Sequence, residues 1–375
     1  MNKNIEIDNN SRLISKDSPN LDLLRTVAVL FVLIDHTVEF MGYKTVGFIQ
    51  MHQLGILGVL FFFVHTSLVL MLSLQRQNDS LHGWPLAVSF YIRRFFRLYP
   101  LAVLFLIAMI IFKIPSTHLE PHLITYEPAG AWKITANLLL IQNLTHHYRG
   151  SIIGQYWSLP LEVQMYALLP FLYFAVGKIK KNWVLMSLWL IVILSFAHLQ
   201  GTRLHIQIME YIPNFMGGVI AYTLSSQFKR KVPANFWAPF LMIVSLTYLI
   251  NPVRIMGWLI CFILGAGIPF FQEINTRWLK SIAKTTAKYS YGIYLSHFFS
   301  IWFAFTHLNN ASPALQWAVF LSLLFLLPYA LYHLIEKPGI AFGVKFAAII
   351  EKPDALPATR QFTEEPAQLV LNISD

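Results

Sequence analysis

The chain has 375 residues, of which 56% are apolar and only 12% charged, with a formal net charge of +10. Soluble domains usually carry about twice that charged fraction, so the composition excludes an ordinary water-soluble fold and points to one that crosses a bilayer. The single cysteine, Cys261, excludes a disulfide framework and a cysteine metal site.

The polar start, residues 1–20, lacks the apolar run and cleavage site of a signal peptide, so the first span is itself the expected insertion signal. A span needs about 20 mainly apolar residues, fewer when tilted or shortened. Ten windows qualify: 21–40, 54–75, 98–113, 157–177, 183–199, 207–225, 236–251, 254–271, 289–307 and 315–335. A shorter piece, 134–142, reads as a re-entrant or interfacial helix. With both ends inside, cytoplasmic segments hold 21 of the 28 Lys and Arg residues and outward segments six, with Arg25 inside the first span. This asymmetry obeys the positive-inside rule. It accounts for the basic charge by topology and anionic lipid, not by nucleic acid. The expected fold is an all-α, polytopic integral membrane bundle of about ten transmembrane helices with both termini cytoplasmic. It comprises a cytoplasmic tail 1–20, a membrane domain 21–340 and a cytoplasmic tail 341–375.

Taken in chain order, the first span carries Arg25 and His36 inside an otherwise apolar stretch. Ionisable groups at membrane depth are costly and mark functional sites unless they snorkel or pack. Eleven residues at about 100° each return His36 to within roughly 20° of the face of Arg25, about 16 Å further along the axis. The next cluster, YIRRFFRLYP at 91–100, holds Arg93, Arg94 and Arg97 ahead of the third span. Guanidinium forks suit phosphate, although an ordinary cytoplasmic flank has the same look. In QYWSLPLEVQMYALLP, residues 155–170, Ser158 is a candidate cap before Pro160, and Ser158, Glu162 and Tyr166 share a helix face beside Trp157. Glu162 is either the partner of an imidazole or the structural partner of an arginine. Its expected depth in the membrane, close to that of His36, favours the imidazole. In YSYGIYLSHFF, residues 289–299, Tyr291, Tyr294 and His297 fall on neighbouring turns, as packing groups or as part of a site. The outer pair His146–His147 lacks the spacing and carboxylates of a metal site.

These blocks in order resemble acyltransferase family 3, the membrane O-acyltransferases of bacterial surface glycans. The resemblance spans about residues 20–340. It rests on Arg25-x10-His36, FFFV at 61–64, Arg94-x-x-Arg97-LYP, WSL-x-x-E at 157–162, SYGIYLSH and Glu336-Lys337-Pro338. Many members have Ser-Gly shortly after the second-span FFV, where this chain reads His65-Thr66-Ser67. The resemblance implies transfer of an acyl group, most often acetyl, from cytoplasmic acyl-coenzyme A to a hydroxyl of an extracytoplasmic glycan, in the bacterial inner membrane.

By that resemblance Arg25 and His36 match the essential Arg and His, and Arg94 and Arg97 the cytoplasmic arginine pair. Combined with the topology, Arg94, Arg97 and Arg93 would hold the donor phosphates, with Arg25 at the inner mouth of a passage. His36 would act as general base or brief acyl acceptor, with Glu162 stabilising its imidazolium. No permanently bound cofactor and no metal is expected. The partners are acyl-coenzyme A, a hydroxyl acceptor and membrane lipid, not nucleic acid. The rival reading is a transporter or flippase for a lipid-linked sugar, which explains spans and intramembrane charge but not the arginine cluster.

Overall fold

The computed structural model describes residues 17–115, 128–144, 150–178, 187, 189–190, 207–225, 227 and 232–351. The described chain is helical apart from loops and one small ribbon, β1 (Thr45–Val46) paired antiparallel with β2 (Ile49–Gln50).

Helix α1 (Pro19–Phe40) starts where its sequence says it should. Ser18 caps it, its Oγ accepting from the Leu21 N–H at 3.4 Å, and Pro19 occupies the first turn, where no N–H is needed. Glu273 fixes this start in space, accepting from Ser18 Oγ at 2.7 Å and from the Asn20 N–H at 3.1 Å. Helices α2 (Met51–Asn78) and α3 (Trp84–Ile111) follow, then the short α4 (Ala131–Leu138) and α5 (Leu159–Lys178). The rest of the bundle is α6 (Gln207–Ser225), α7 (Trp237–Ile250), α8 (Arg254–Gly267), α9 (Arg277–Ile301), α10 (Pro313–Leu331) and α11 (Lys337–Glu351). Two π-helical turns, Trp302–His307 and Tyr332–Glu336, extend α9 and join α10 to α11.

Helix α2 is the central post. It packs on α1 and α6, α1 also packs on α9, α6 on α8, and α3 along α11. Glycines set the closest approaches, because small residues let helix backbones meet where apolar burial alone does not drive them together. A Cβ on Gly218 of α6 would collide with Ser67 Oγ and the Val64 carbonyl of α2, and one on Gly265 of α8 would collide with the Gly217 backbone. Ser67 uses the closeness, donating to the Phe215 carbonyl at 2.6 Å.

Nine of the ten apolar windows coincide with these helices, and 183–199 lies almost wholly outside the described residues. Among the described residues, four helices are long and apolar enough to cross a membrane: Met51–Asn78, Trp84–Ile111, Gly154–Gly177 and Pro313–Glu351. Helix α1 is more polar than these four, because Asp22, Arg25, Asp35 and Glu39 sit on it. Two boundaries move. Helix α3 begins at Trp84, well before the expected 98, so the arginine cluster lies within the helix and not on a flank ahead of it. The piece 134–142 ends its helix at Leu138 and turns through Leu140 at φ 54°, so no continuous helix runs through it. Beyond 335 the chain stays helical to Glu351, lying against α3.

Candidate functional site

Five helices enclose one cavity among the described residues. Arg25 comes from α1, His65 and Thr66 from α2, Arg94 and Arg97 from α3, Glu162 and Tyr166 from α5, and Ser290, Tyr291 and Tyr294 from α9. Apolar walls are supplied by Val59, Phe62, Phe63, Val69 and Leu70 of α2. Helical periodicity delivers the polar groups. Arg94 and Arg97 are one turn apart, as are Glu162 and Tyr166, and Tyr291 and Tyr294.

The charges are unbalanced. Three guanidinium groups share the cavity with one carboxylate, Glu162. Glu162 is held by its own helix and by α2: Tyr166 donates to Oε2 at 3.3 Å and Thr66 Oγ1 to Oε1 at 3.4 Å. Arg94 Nη2 donates to Ser73 Oγ at 3.3 Å and its guanidinium lies 5.7 Å from the Phe90 ring centre. The Nε–H of Arg25 and that of Arg94 are buried with no acceptor among the described residues. A second carboxylate, Glu336, is buried close by, at the π-turn that ends at that residue. Its Oε2 has no hydrogen-bond partner. A cavity with surplus guanidinium donors is chemically suited to an anion, phosphate above all.

His36 lies outside this cavity lining. Its Nδ1 is 2.9 Å from Nε2 of His297, and the two rings are nearly coplanar, with centres 5.0 Å apart at 18°. Phe298 packs against both imidazoles, its ring centre 4.6 Å from that of His36 and 4.8 Å from that of His297. Asp35 Oδ2 stands 3.6 Å from His36 Nε2. Between cavity and imidazole pair stands Tyr294. Its hydroxyl donates to the Gln155 carbonyl at 2.6 Å and meets Ser158 Oγ at 2.7 Å, while its ring centre is 6.0 Å from that of His297.

Arg25, Arg94, Arg97, Ser158, Glu162, Tyr166 and Tyr294 therefore come together as one lining, and His36 with His297 as an adjoining pair. Two expectations are not met. Glu162 does not touch His36; it belongs with the arginines, because Tyr166 and Thr66 hold it toward Arg25. Arg93 faces away from the cavity and pairs with Glu351 at 2.6 Å, since one residue before Arg94 on a helix is a turn of about 100°. Trp157 packs at 5.6 Å from Tyr211 and does not line the cavity. Residue-by-residue reading passed over Asp35, and treated His65, Thr66 and Glu336 as motif positions without a role. The signal for the first three was polarity inside apolar helices.

Among the described residues, no three His, Cys, Asp or Glu side chains are placed to share a metal ion. A family model described as an acyltransferase domain matches residues 18–333. No curated protein and no solved structure matches the chain.

Proposed function

The chain belongs to acyltransferase family 3, and we propose that it is a membrane O-acyltransferase that moves an acetyl group from cytoplasmic acyl-coenzyme A to a hydroxyl of an extracytoplasmic glycan. The observation that carries this reading is the set of buried, unsatisfied arginine donors in a cavity that leads toward an imidazole pair. A phosphorylated donor supplies the anion that such donors need, and a hydroxyl acceptor supplies the proton that a neutral imidazole can take. The resemblance of the ordered motifs supplies the glycan and the acetyl group.

In this reading the bundle sits in a bacterial inner membrane as ten spans with both termini cytoplasmic. Arg25, Arg94 and Arg97 hold the donor phosphates, and the carrier arm runs past Tyr291 and Tyr294 toward His36. Arg25 and His36 lie about 16 Å apart along α1, within reach of an extended arm. His36 removes the acceptor proton as the hydroxyl oxygen attacks the thioester carbonyl carbon. The tetrahedral adduct collapses with breakage of the carbon–sulfur bond. The proton on His36 passes to the departing thiolate, leaving an ester and free coenzyme A.

The test is mass spectrometry of surface glycans from cells with the wild-type gene, no gene, or His36→Ala. An acyl mass increment confined to the wild type supports the proposal. Equal increments in wild type and His36→Ala remove the base, and no increment in any strain returns the transporter reading.

A further inference from the structure

The hydrogen bonds around His297 settle which nitrogen of His36 carries a proton. His297 Nδ1 is 3.2 Å from the carbonyl of Ile293, one turn back on α9. A carbonyl oxygen only accepts, so Nδ1 is the protonated nitrogen of His297. In the neutral ring its Nε2 then offers a lone pair. That lone pair faces His36 Nδ1 at 2.9 Å, and His36 Nδ1 must therefore donate. The remaining nitrogen of His36, Nε2, is left bare.

We propose that His297 is a positioning residue that sets the tautomer of His36, so that Nε2 is the nitrogen that takes the acceptor proton, and that Asp35 balances the imidazolium that results. The proposal rests on the reading of His36 as the base and says how the base is built. The opposite arrangement needs a doubly protonated His297. That would place a cation at a site 1% exposed, with the backbone carbonyls of Ile293 and Tyr294 and no carboxylate against it among the described residues, which is the costly kind of burial.

Three further observations fit. The near-coplanar hydrogen bond to His297 and contact with Phe298 hold the His36 ring in one plane. Asp35 is 1% exposed, and its Oδ1 is buried without a partner, so the carboxylate has acceptor capacity to spare. The space for it exists because the facing residue of α2 is Gly55, where a Cβ would collide with the Asp35 carboxylate. When Nε2 gains a proton the ring becomes a cation, and Asp35 Oδ2 stands 3.6 Å away, within ion-pair distance. In the serine hydrolases a buried carboxylate does the equivalent orienting work, and its neutral replacement lowers turnover about 10⁴-fold through the wrong tautomer.

The test is turnover of purified full-length protein in proteoliposomes with acetyl-coenzyme A and the unacylated form of the glycan identified above, comparing His297→Gln, His297→Asn and His297→Leu. The glutamine oxygen reaches the position of Nε2 and accepts from His36. The asparagine oxygen stops at the position of Nδ1 and does not. Expected is a kcat within about tenfold of wild type for His297→Gln and a loss on the order of 10²-fold or more for His297→Asn and His297→Leu. KM for acetyl-coenzyme A should stay unchanged throughout, because the arginine cavity is untouched. Asp35→Asn should lower kcat by at least tenfold, again at constant KM. Glutamine and asparagine variants with equal kcat, whether high or low, overturn the role of His297. A leucine variant that does not fold leaves this comparison intact. Wild-type turnover that His36→Ala abolishes, together with unaffected His297 variants, overturns this inference and keeps the acyltransferase. No wild-type turnover removes both.

Discussion

Arg25 and Arg94 each keep a buried Nε–H without an acceptor, and an unsatisfied buried donor costs roughly 1–3 kcal/mol. That cost is recovered when an anion enters. Replacing Arg25 or Arg94 by Ala is therefore expected to raise KM for acyl-coenzyme A by about ten- to a hundredfold, the worth of a charge-assisted hydrogen bond of roughly 1.5–3 kcal/mol. Arg94→Lys should recover little, because an ammonium cannot reach Ser73 and a phosphate as a planar fork does. Steady-state kinetics with varied donor checks both. Gly218 makes a second prediction at this scale. Its missing methyl is the space occupied by Ser67 and the Val64 carbonyl, so Gly218→Ala should destabilise the fold by roughly 1–3 kcal/mol. Gly177, with open space around it, is the control, and thermal unfolding in detergent is the measurement.

Helix α1 behaves as a ruler. Its rigid rise separates Arg25 from His36 by about 16 Å, the span between the proposed phosphate site and the imidazole. A short thioester such as acetyl-N-acetylcysteamine reaches the imidazole without engaging the arginines. Its kcat/KM is expected to fall on the order of 10³-fold below that of acetyl-coenzyme A, because remote binding energy is lost. Equal values would sever the link between the two ends. The spacing on α1 was legible in the bare sequence because it depends on one helix alone. Which side chains meet across helices was not. Tyr166 and Thr66 decide that Glu162 faces the arginines, and the register of α9 against α1 decides that His297 meets His36. Neither is encoded in the periodicity of a single segment. Arg93 was grouped with Arg94 for the same reason, as neighbours in sequence. Arg93→Ala should leave donor KM unchanged and cost about 0.2–1 kcal/mol of stability, the worth of a partly exposed ion pair with Glu351.

Across the whole molecule, the all-α architecture and most helix positions followed from apolar length and capping residues, which act locally. Helix ends near the arginines did not. Trp84 to Leu98 looks too polar for a span, yet it is helical and packs on α11. The orientation of the bundle makes a prediction at this scale. Cys261 is buried and accepts from Asn214 at 3.2 Å, so cysteines introduced elsewhere are expected to label selectively. Thr45→Cys, in the ribbon after α1, should react with an impermeant maleimide in intact cells, and Ser80→Cys, between α2 and α3, only after permeabilisation. The reverse pattern would invert the proposed topology.

The clasp of Glu351 by Ser89 and Arg93 has a practical corollary. It pins the end of α11 to α3, the helix that carries Arg94 and Arg97. In the proposed function this is the face where the donor nucleotide arrives, so bulk fused directly after Glu351 would crowd it. Bulk attached there is expected to slow product exchange before it disturbs folding, and a cleavable linker restores the native rate.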